Sequence, residues 1–110
     1  MAAHEPYATA APSRAEVDAL AEPLVLEFGT DWCGFCQVAQ PLIAHALAAQ
    51  PGVRHLKIED GKGRPLGRSF GVRLWPTLVF LHRGREVARL VRPNSAPAIE
   101  QALQQLLAVA

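Results

Sequence analysis

The spacing of apolar residues changes several times along the chain, and each change predicts a new structural element. Residues 24–29 are a short apolar run with one charge, which predicts a buried strand, and residues 53–58 predict a second strand. Residues 77–82 and 86–91 flank the stretch Arg83-Gly84-Arg85, a pattern typical of a β-hairpin. The sequence therefore predicts at least four strands, of which the last two are antiparallel.

Helical spacing of apolar residues occupies the stretches between these strands. Ser13 and Glu16 have the spacing of a capping box, which predicts a short helix that ends near residue 21. A long helix is predicted over residues 33–49. Its inner face is predicted to consist of Val38, Leu42, Ile43, Ala46 and Leu47.

Two further helices complete the pattern. Residues 66–70 can form a short helix after Pro65, and Asn94 or Ser95 caps a terminal helix. The apolar stripe of that helix is Ile99, Leu103, Leu106 and Leu107. The order of elements predicts an α/β fold, with a central mixed sheet of four to five strands and helices on both faces.

The length of the chain predicts one folded domain. With 110 residues, 50% of them hydrophobic, it can bury one core and is too short for two. Residues 1–12 are rich in alanine and proline and are predicted to form a flexible arm, with a short strand near residues 7–9. The folded domain is predicted over residues 13–110.

Charge and hydropathy exclude several classes of protein. A net charge of +1 argues against a general electrostatic attraction to nucleic acid or to a membrane surface. No apolar run approaches the ~20 residues of a membrane-spanning helix. Residues 1–6 have neither the basic nor the apolar region of a secretory signal, so we expect a cytoplasmic protein. The sequence gives no sign of oligomerisation, and a monomer is expected.

The only two cysteines, Cys33 and Cys36, are separated by two residues. On a helix, residues three apart have Cβ atoms about 5–6 Å apart, so small backbone adjustments let a disulfide open and close. The loop that this bridge closes is too short to stabilise the fold much. The pair is therefore interpreted as chemically active.

Position gives the two thiols different roles. Cys33 falls where a strand ends and a helix begins, and the free N–H groups and the helix dipole favour a thiolate there. Cys33 is therefore predicted to be the nucleophile, and Cys36, one turn further on, the resolving thiol. Inert core thiols or a zinc site are the alternatives. Zinc needs four ligands, and no paired histidines lie near the cysteines in the sequence, so no metal is expected.

Several motifs together resemble the thioredoxin family. Trp32 precedes the cysteine pair, Pro41 follows Cys36 by five residues, and residues 70–77 read Phe-Gly-Val-Arg-Leu-Trp-Pro-Thr. The resemblance covers about residues 13–108. It implies a thioredoxin fold and disulfide exchange with protein substrates. It also implies that no bound cofactor is needed, because a thioredoxin-reductase-like protein or a small thiol supplies the electrons.

Glu27 breaks the apolar pattern of the first predicted strand. A buried charge there is costly, and local rules tend to fail at functional sites. Thioredoxins have a buried aspartate at this place, and their disulfide-isomerase relatives a glutamate. The resemblance therefore implies that Glu27 accepts the proton of Cys36, with a pKa raised by burial. The alternative is a strand-edge glutamate that faces solvent.

The resemblance also implies a substrate-binding face around the cysteines, made of Trp32, Gly34, Phe35, Trp75 and Pro76. In the family the peptide bond before this proline is cis, and the backbone of the preceding residue pairs with the substrate. Both properties are expected here. For Trp32, a plain packing role remains an alternative.

The chain departs from the family pattern at four places, one of which is a pair of residues. Phe35 replaces a proline, which implies a more oxidising couple, and Trp75 is unusually large for its place. Arg92-Pro93 stands where thioredoxins have a glycine that lets partners approach closely. His55 stands about where thioredoxins have a lysine near the buried acid, and it is interpreted as a surface histidine.

Two functions are consistent with the sequence. The first is a thiol–disulfide oxidoreductase that exchanges disulfides with protein substrates through Cys33 and Cys36. The second is a binding or holdase module with a thioredoxin fold, in which the cysteine pair is regulatory or vestigial. Trp75 and Arg92 favour the second function slightly, because both change the groove that would hold a substrate.

Overall fold

The computed structural model describes residues 5–110, which form four helices and four strands. In chain order these are α1 (Arg14–Asp18), β1 (Leu24–Gly29), α2 (Gly34–Ala48), β2 (Arg54–Glu59), α3 (Pro65–Ser69), β3 (Thr77–His82), β4 (Arg85–Val91) and α4 (Ala96–Val109). The elements lie within one or two residues of their predicted bounds, except that α1 ends at Asp18 instead of near residue 21. Within residues 5–110, no helix is long and apolar enough to cross a membrane.

The four strands form one mixed sheet in the order β2-β1-β3-β4. β1 is parallel to β2 and antiparallel to β3, and β3 is antiparallel to β4. The predicted mixed sheet is therefore confirmed, with four strands. β1 lies between β2 and β3, so its carboxyl end, where the cysteine pair follows, is held from both sides.

Helices cover both faces of the sheet, as predicted. Val25, Leu78 and Phe80 point to one face, where they pack against residues of α2 and α4. Leu26 and Val79 point to the other face, together with Val17 of α1 and Leu66 of α3. Strand side chains alternate between the two faces, so Glu27, two residues after Val25, points to the α2 face.

The inner face of α2 differs from the prediction. Val38 is 76% exposed, and Leu42 is only partly buried. The buried residues are Cys36, Ala39, Gln40, Ile43, Ala46 and Leu47. The difference arises from a polar contact: the Gln40 side chain points inward and hydrogen-bonds with Glu27. Val38, two residues before Gln40, lies on the opposite side of the helix. An apolar pattern cannot reveal a buried glutamine.

Part of the predicted arm pairs with the sheet, at the place where a short strand is predicted near residues 7–9. Ala8 forms a parallel bridge with Ile58, with Ala8 N–H to Lys57 carbonyl and Glu59 N–H to Ala8 carbonyl distances of 2.9 Å each. Tyr7 is 4% exposed. β2 is an edge strand with unpaired backbone groups, and the segment around Ala8 pairs with them. The part of the arm before residue 5 lies outside the described residues.

Candidate active site

The end of β1 and the start of α2 together position the two cysteines. Cys33 is the N-cap of α2, and its Sγ accepts the N–H of Cys36 at 3.3 Å. Cys33 is 8% exposed and Cys36 only 1%. Both are free thiols. The predicted placement is therefore present: one sulfur lies at the positive end of a 15-residue helix, and the other lies behind it.

Four large side chains lie on the side of Cys33 away from Glu27, and we call Trp32, Phe35, Trp75 and Arg92 the outer face. Trp32 is 74% exposed and Phe35 58%. The two indole rings meet edge to face, with centroids 5.7 Å apart, and Trp75 also packs against the cysteine pair. Large apolar groups left in solvent beside a reactive sulfur are typical of a surface that binds a partner.

The Trp75–Pro76 peptide bond is cis, as expected. Pro76 is buried, and the Trp75 indole N–H donates to Asp60 at 2.8 Å, which fixes the ring. Gly34 leaves open space beside Cys33, because a Cβ placed on it would have no atom within 4 Å. Trp32, Gly34 and Phe35 therefore adjoin the cysteines in the chain, and Trp75, which precedes Pro76, packs against the pair.

Arg92 connects two parts of the outer face in a way that the sequence does not reveal. Its Nε donates to the Trp75 carbonyl at 2.8 Å, and its guanidinium lies 3.8 Å from the centre of the Phe35 ring. Arg92 has a φ of 51°, in the left-handed region that favours glycine. The side chain therefore occupies a carbonyl and an aromatic surface that a glycine would leave free.

Polar residues lie behind Cys36, and we call Tyr7, Glu27, Gln40 and His55 the inner network. Glu27 is completely buried, so the interpretation of it as a solvent-facing glutamate is wrong. Its Oε2 accepts hydrogen bonds from the Tyr7 hydroxyl and, at 2.7 Å, from Gln40 Nε2. Its Oε1 lies 2.8 Å from His55 Nε2. A buried carboxylate with this many donors is well stabilised in its charged form.

The pKa of Glu27 is lower than its ordinary value, which corrects the prediction that burial raises it. Burial is the largest single influence and does raise the pKa, but hydrogen bonds from His55, Tyr7 and Gln40 and the charge of His55 together outweigh it. Glu27 is therefore an ionised carboxylate at neutral pH, and both of its oxygens accept hydrogen bonds.

His55 is not the surface histidine that the sequence predicts. It follows Arg54 at the start of β2, and its side chain is 25% exposed, with the ring turned toward Glu27. In the parallel pairing of β1 and β2, His55 lies opposite Val25 and Lys57 opposite Glu27. This register brings His55 and Lys57 to the face of the sheet that contains Glu27, and no local pattern predicts it.

Tyr7 is the functional residue that the sequence missed. A Cβ placed on Gly29 would lie 2.6 Å from Cys36 Sγ and 2.7 Å from the Tyr7 hydroxyl oxygen, so these two atoms converge on the end of β1. Burial, followed by the charge of Glu27, raises the pKa of Tyr7 above its ordinary value. The phenol therefore keeps its proton, which it donates to Glu27.

Burial raises the pKa of the Cys36 thiol, and the hydrogen bond with Cys33 raises it further, whereas a backbone hydrogen bond at Thr30 lowers it in part. Cys36 is therefore a protonated thiol in the resting protein. To act as a nucleophile it must lose that proton, and the Tyr7 hydroxyl lies close to its sulfur at the end of β1.

Metal binding finds no support in the described part of the chain. Across residues 5–110, no three histidine, cysteine, aspartate or glutamate side chains gather as a metal site would require. His55 faces Glu27 instead of the cysteines.

Comparison with known proteins agrees with this geometry. The thioredoxin family model matches residues 7–105. A solved structure of reduced thioredoxin 2 from Pseudomonas aeruginosa PAO1 is 57% identical, with a TM-score of 0.86 over 96% of this chain and 98% of that one.

Among curated relatives, a thioredoxin of Chlamydia muridarum is 40% identical over 67% of this chain and 74% of its own length. Thioredoxin C-3 of Corynebacterium nephridii is 32% identical over 77% of this chain, and the match spans 59% of that protein. The family model covers nearly the whole chain, including Tyr7 and the cysteine pair. The chain therefore belongs to the thioredoxin family.

Proposed function

We propose that this protein is a thiol–disulfide oxidoreductase that exchanges disulfides with protein substrates. The observation that carries the proposal is the placement of Cys33 at the N-cap of α2, with Cys36 one turn behind it. Membership of the thioredoxin family supports the same activity. The binding-module alternative is not favoured, because a module that only docks a partner has no use for an unequal pair of thiols.

The reaction proceeds in two steps. The Cys33 thiolate attacks a substrate disulfide R–S–S–R′, a bond forms between Cys33 and the R sulfur, and R′–S⁻ leaves. Cys36 then loses its proton and attacks Cys33, which forms the Cys33–Cys36 disulfide and releases R–S⁻. The two leaving thiolates take protons from solvent. Two electrons pass from the protein dithiol to the substrate disulfide.

Glu27 is proposed to accept the proton that Cys36 loses. Its charged state and its burial behind the helix support this role. Transfer to it is uphill in the resting protein, because the pKa of Cys36 is raised and that of Glu27 is lowered. It becomes productive when the new thiolate is consumed by the S–S bond.

Substrate is proposed to bind on the outer face, in contact with Trp32, Gly34, Phe35, Trp75 and Pro76. The exposure of Trp32 and Phe35 supports this assignment, and so does the open space beside Gly34. Arg92 already donates to the Trp75 carbonyl, so a substrate backbone that pairs there competes with it.

The cellular setting is likewise a proposal. We propose a cytoplasmic monomer that takes part in electron transport and is reduced by a thioredoxin-reductase-like protein or by a small thiol. A CxxC pair that contains the only cysteines of the chain supports a reducing compartment. Cell fractionation and light scattering of the purified protein test the compartment and the monomeric state.

Reduction of insulin by dithiothreitol, coupled to a redox titration against glutathione, tests the activity. The protein is expected to accelerate insulin reduction and to give a reversible two-electron couple, and Cys33→Ser is expected to abolish both. Absence of turnover and of a reversible couple in the unaltered protein would contradict the proposed function.

A further inference from the structure

Tyr7 joins the buried cysteine to the buried carboxylate. Its ring is held by Lys57, whose Nζ lies 4.7 Å from the ring centre, and its N–H donates to Asp31 at 2.9 Å. Its hydroxyl donates to Glu27, and its oxygen lies close to the Cys36 sulfur, because a Cβ placed on Gly29 would be 2.7 Å from the one and 2.6 Å from the other. The Tyr7 hydroxyl therefore lies between the Cys36 thiol and the Glu27 carboxylate, the two groups between which a proton is proposed to pass.

The direction of the hydrogen bonds is decided by counting protons. A phenol has one proton to donate and lone pairs that accept. The Tyr7 proton is committed to Glu27 Oε2, and Gln40 Nε2, 3.1 Å from the same hydroxyl oxygen, can only donate to it. Toward Cys36 the oxygen is therefore an acceptor. The arrangement is a directed chain that runs from the thiol through the phenol to the carboxylate.

We propose that Tyr7 relays the proton from Cys36 to Glu27 during the resolving step. As Cys36 attacks Cys33, the S–H proton passes to the Tyr7 oxygen while the Tyr7 O–H proton passes to Glu27 Oε2. No tyrosinate forms, because one proton arrives as the other leaves. Cys36 becomes a disulfide sulfur, R–S⁻ departs, and Glu27 is left protonated. The inference rests on the proposed exchange reaction.

His55 extends the chain toward solvent. It contacts the other carboxylate oxygen of Glu27 and is 25% exposed, so the inner network reaches the surface of the protein at this residue. The proposal gives the segment before α1 a role in proton transfer through Tyr7. This segment lies outside the boundary that the sequence predicts for the folded domain.

The rival route is direct loss of the Cys36 proton to solvent. A cleft of about 280 Å³ reaches Cys36, and its lining includes Tyr7, Gln40 and Lys57. Along this route the rate of the resolving step depends on hydroxide and not on the Tyr7 hydroxyl. The charged and titratable groups around the ring are Glu27 on β1, Asp31 after it, Cys33 and Cys36 at α2, Lys57 on β2 and Glu5 on the same segment.

Rapid mixing of the reduced protein with dithiobis(nitrobenzoate) separates the two steps. Attack by Cys33 releases one coloured thiolate, and attack by Cys36 releases the second. In Tyr7→Phe the first phase is expected to change less than about twofold. The second is expected to slow roughly 10- to 100-fold, the lower part of the range for loss of a positioned acid–base group.

The pH dependence of the second phase distinguishes a relay from a packing role. In the unaltered protein this rate is expected to be nearly independent of pH around neutrality, because Glu27 is ionised and Cys36 protonated there. In Tyr7→Phe it is expected to rise about tenfold per pH unit, as hydroxide replaces the carboxylate as the acceptor. A pH-independent second phase in Tyr7→Phe would overturn the relay.

Thr77→Val is the matched control, because Thr77 is a buried residue whose hydroxyl bonds with the Leu74 carbonyl at 2.6 Å and not with the cysteine pair. Both phases are expected to be unchanged in this variant. An equal slowing of the second phase by Thr77→Val, an unchanged second phase in Tyr7→Phe, or equal slowing of both phases in Tyr7→Phe would overturn the inference. Absence of a first phase in the unaltered protein would instead contradict the proposed function.

Discussion

The two sides of the cysteine pair differ in exposure and in polarity. On the outer face, exposed aromatic side chains surround Cys33, and the polar contacts there are made by Arg92 and Asp60. In the inner network, Cys36 packs against Tyr7, and Tyr7 and Gln40 both hydrogen-bond with the buried carboxylate of Glu27. One turn of helix separates the Cys33 sulfur, which lies beside the outer face, from the Cys36 sulfur, which lies beside the inner network.

The difference shows how one short motif performs two tasks. Binding a partner needs apolar surface that water leaves easily, and this surface can vary without affecting proton transfer. Keeping a thiol unreactive until it is needed requires burial, which raises its pKa and keeps it protonated. It also requires an acceptor that removes the proton when the attack begins. Substitutions on one side should therefore affect one step and leave the other step intact.

The largest effect is expected from the cysteines themselves. Cys33→Ser removes the nucleophile, and turnover of insulin should fall to the uncatalysed background. Cys36→Ser keeps the nucleophile but removes the resolving thiol, so a mixed disulfide between Cys33 and the substrate should accumulate. Mass spectrometry of the non-reduced protein measures the adduct. A stable adduct on Cys36 in the Cys33→Ser variant would reverse the assignment of roles.

Glu27→Gln is expected to have the next largest effect, and it lies wholly in the inner network. The second phase of the reaction with dithiobis(nitrobenzoate) should slow roughly 10- to 100-fold, because the amide cannot accept the proton. The double variant Tyr7→Phe/Glu27→Gln should be no slower than the slower single variant, since both remove the same chain. Slowing that multiplies in the double variant would mean that the two residues act separately.

Gly29→Ala tests the convergence of Cys36 and Tyr7 on the end of β1. A methyl group there would lie within 2.7 Å of both the thiol and the phenol oxygen, so one of them must move. We expect a loss of about 1–3 kcal/mol in the free energy of unfolding and a slower resolving step. Gly52→Ala is the control, because its Cβ would meet no atom within 4 Å. Equal stability of the two variants in urea would contradict this geometry.

Arg92→Gly tests the outer face. It frees the Trp75 carbonyl and the Phe35 ring and places glycine at a positive φ. We expect kcat/KM for insulin to rise a few-fold, with the resolving step unchanged and the free energy of unfolding altered by less than about 1 kcal/mol. Arg83→Gly, at the same φ of 51° in the hairpin turn, should change stability alone. A slower resolving step in Arg92→Gly would break the separation of the two sides.

The smallest effect is expected in acid. Hydrogen bonds lower the pKa of Glu27 in the folded protein, so the unfolded chain binds its proton more readily. The stabilisation is therefore complete above the unfolded pKa and is lost as the pH falls through the folded one. Urea unfolding of the unaltered protein should lose stability in acid more steeply than that of Glu27→Gln. Parallel curves would show that Glu27 is not held as a charged group.

The outer face and the placement of the cysteines could be predicted from sequence because local rules control them. A buried strand followed by a helix start places Cys33 at the N-cap, and three-residue spacing places Cys36 behind it. Exposure of Trp32 and Phe35 follows from the same local geometry. Arg92 was identified only as a departure from the family pattern, since its contacts depend on a side-chain path across two loops.

Most of the inner network could not be predicted because long-range pairing creates it. Tyr7 and Glu27 are 20 residues apart, and His55 and Glu27 are 28 apart. Their meeting depends on how β2 pairs with β1 and with the segment around Ala8. The same contacts reverse the expected direction of the Glu27 pKa, since burial was visible from the strand pattern but the donors were not.

Limited alkylation of the reduced protein tests the central claim most directly. Iodoacetamide at less than one equivalent, followed by peptide mass spectrometry, measures the relative reactivity of the two thiols. We predict that Cys33 is modified at least about 10-fold faster than Cys36, because its sulfur lies at the start of α2 and the other is buried and protonated. Equal labelling, or faster labelling of Cys36, would contradict the assignment of Cys33 as the reactive thiol and Cys36 as the protonated, unreactive one.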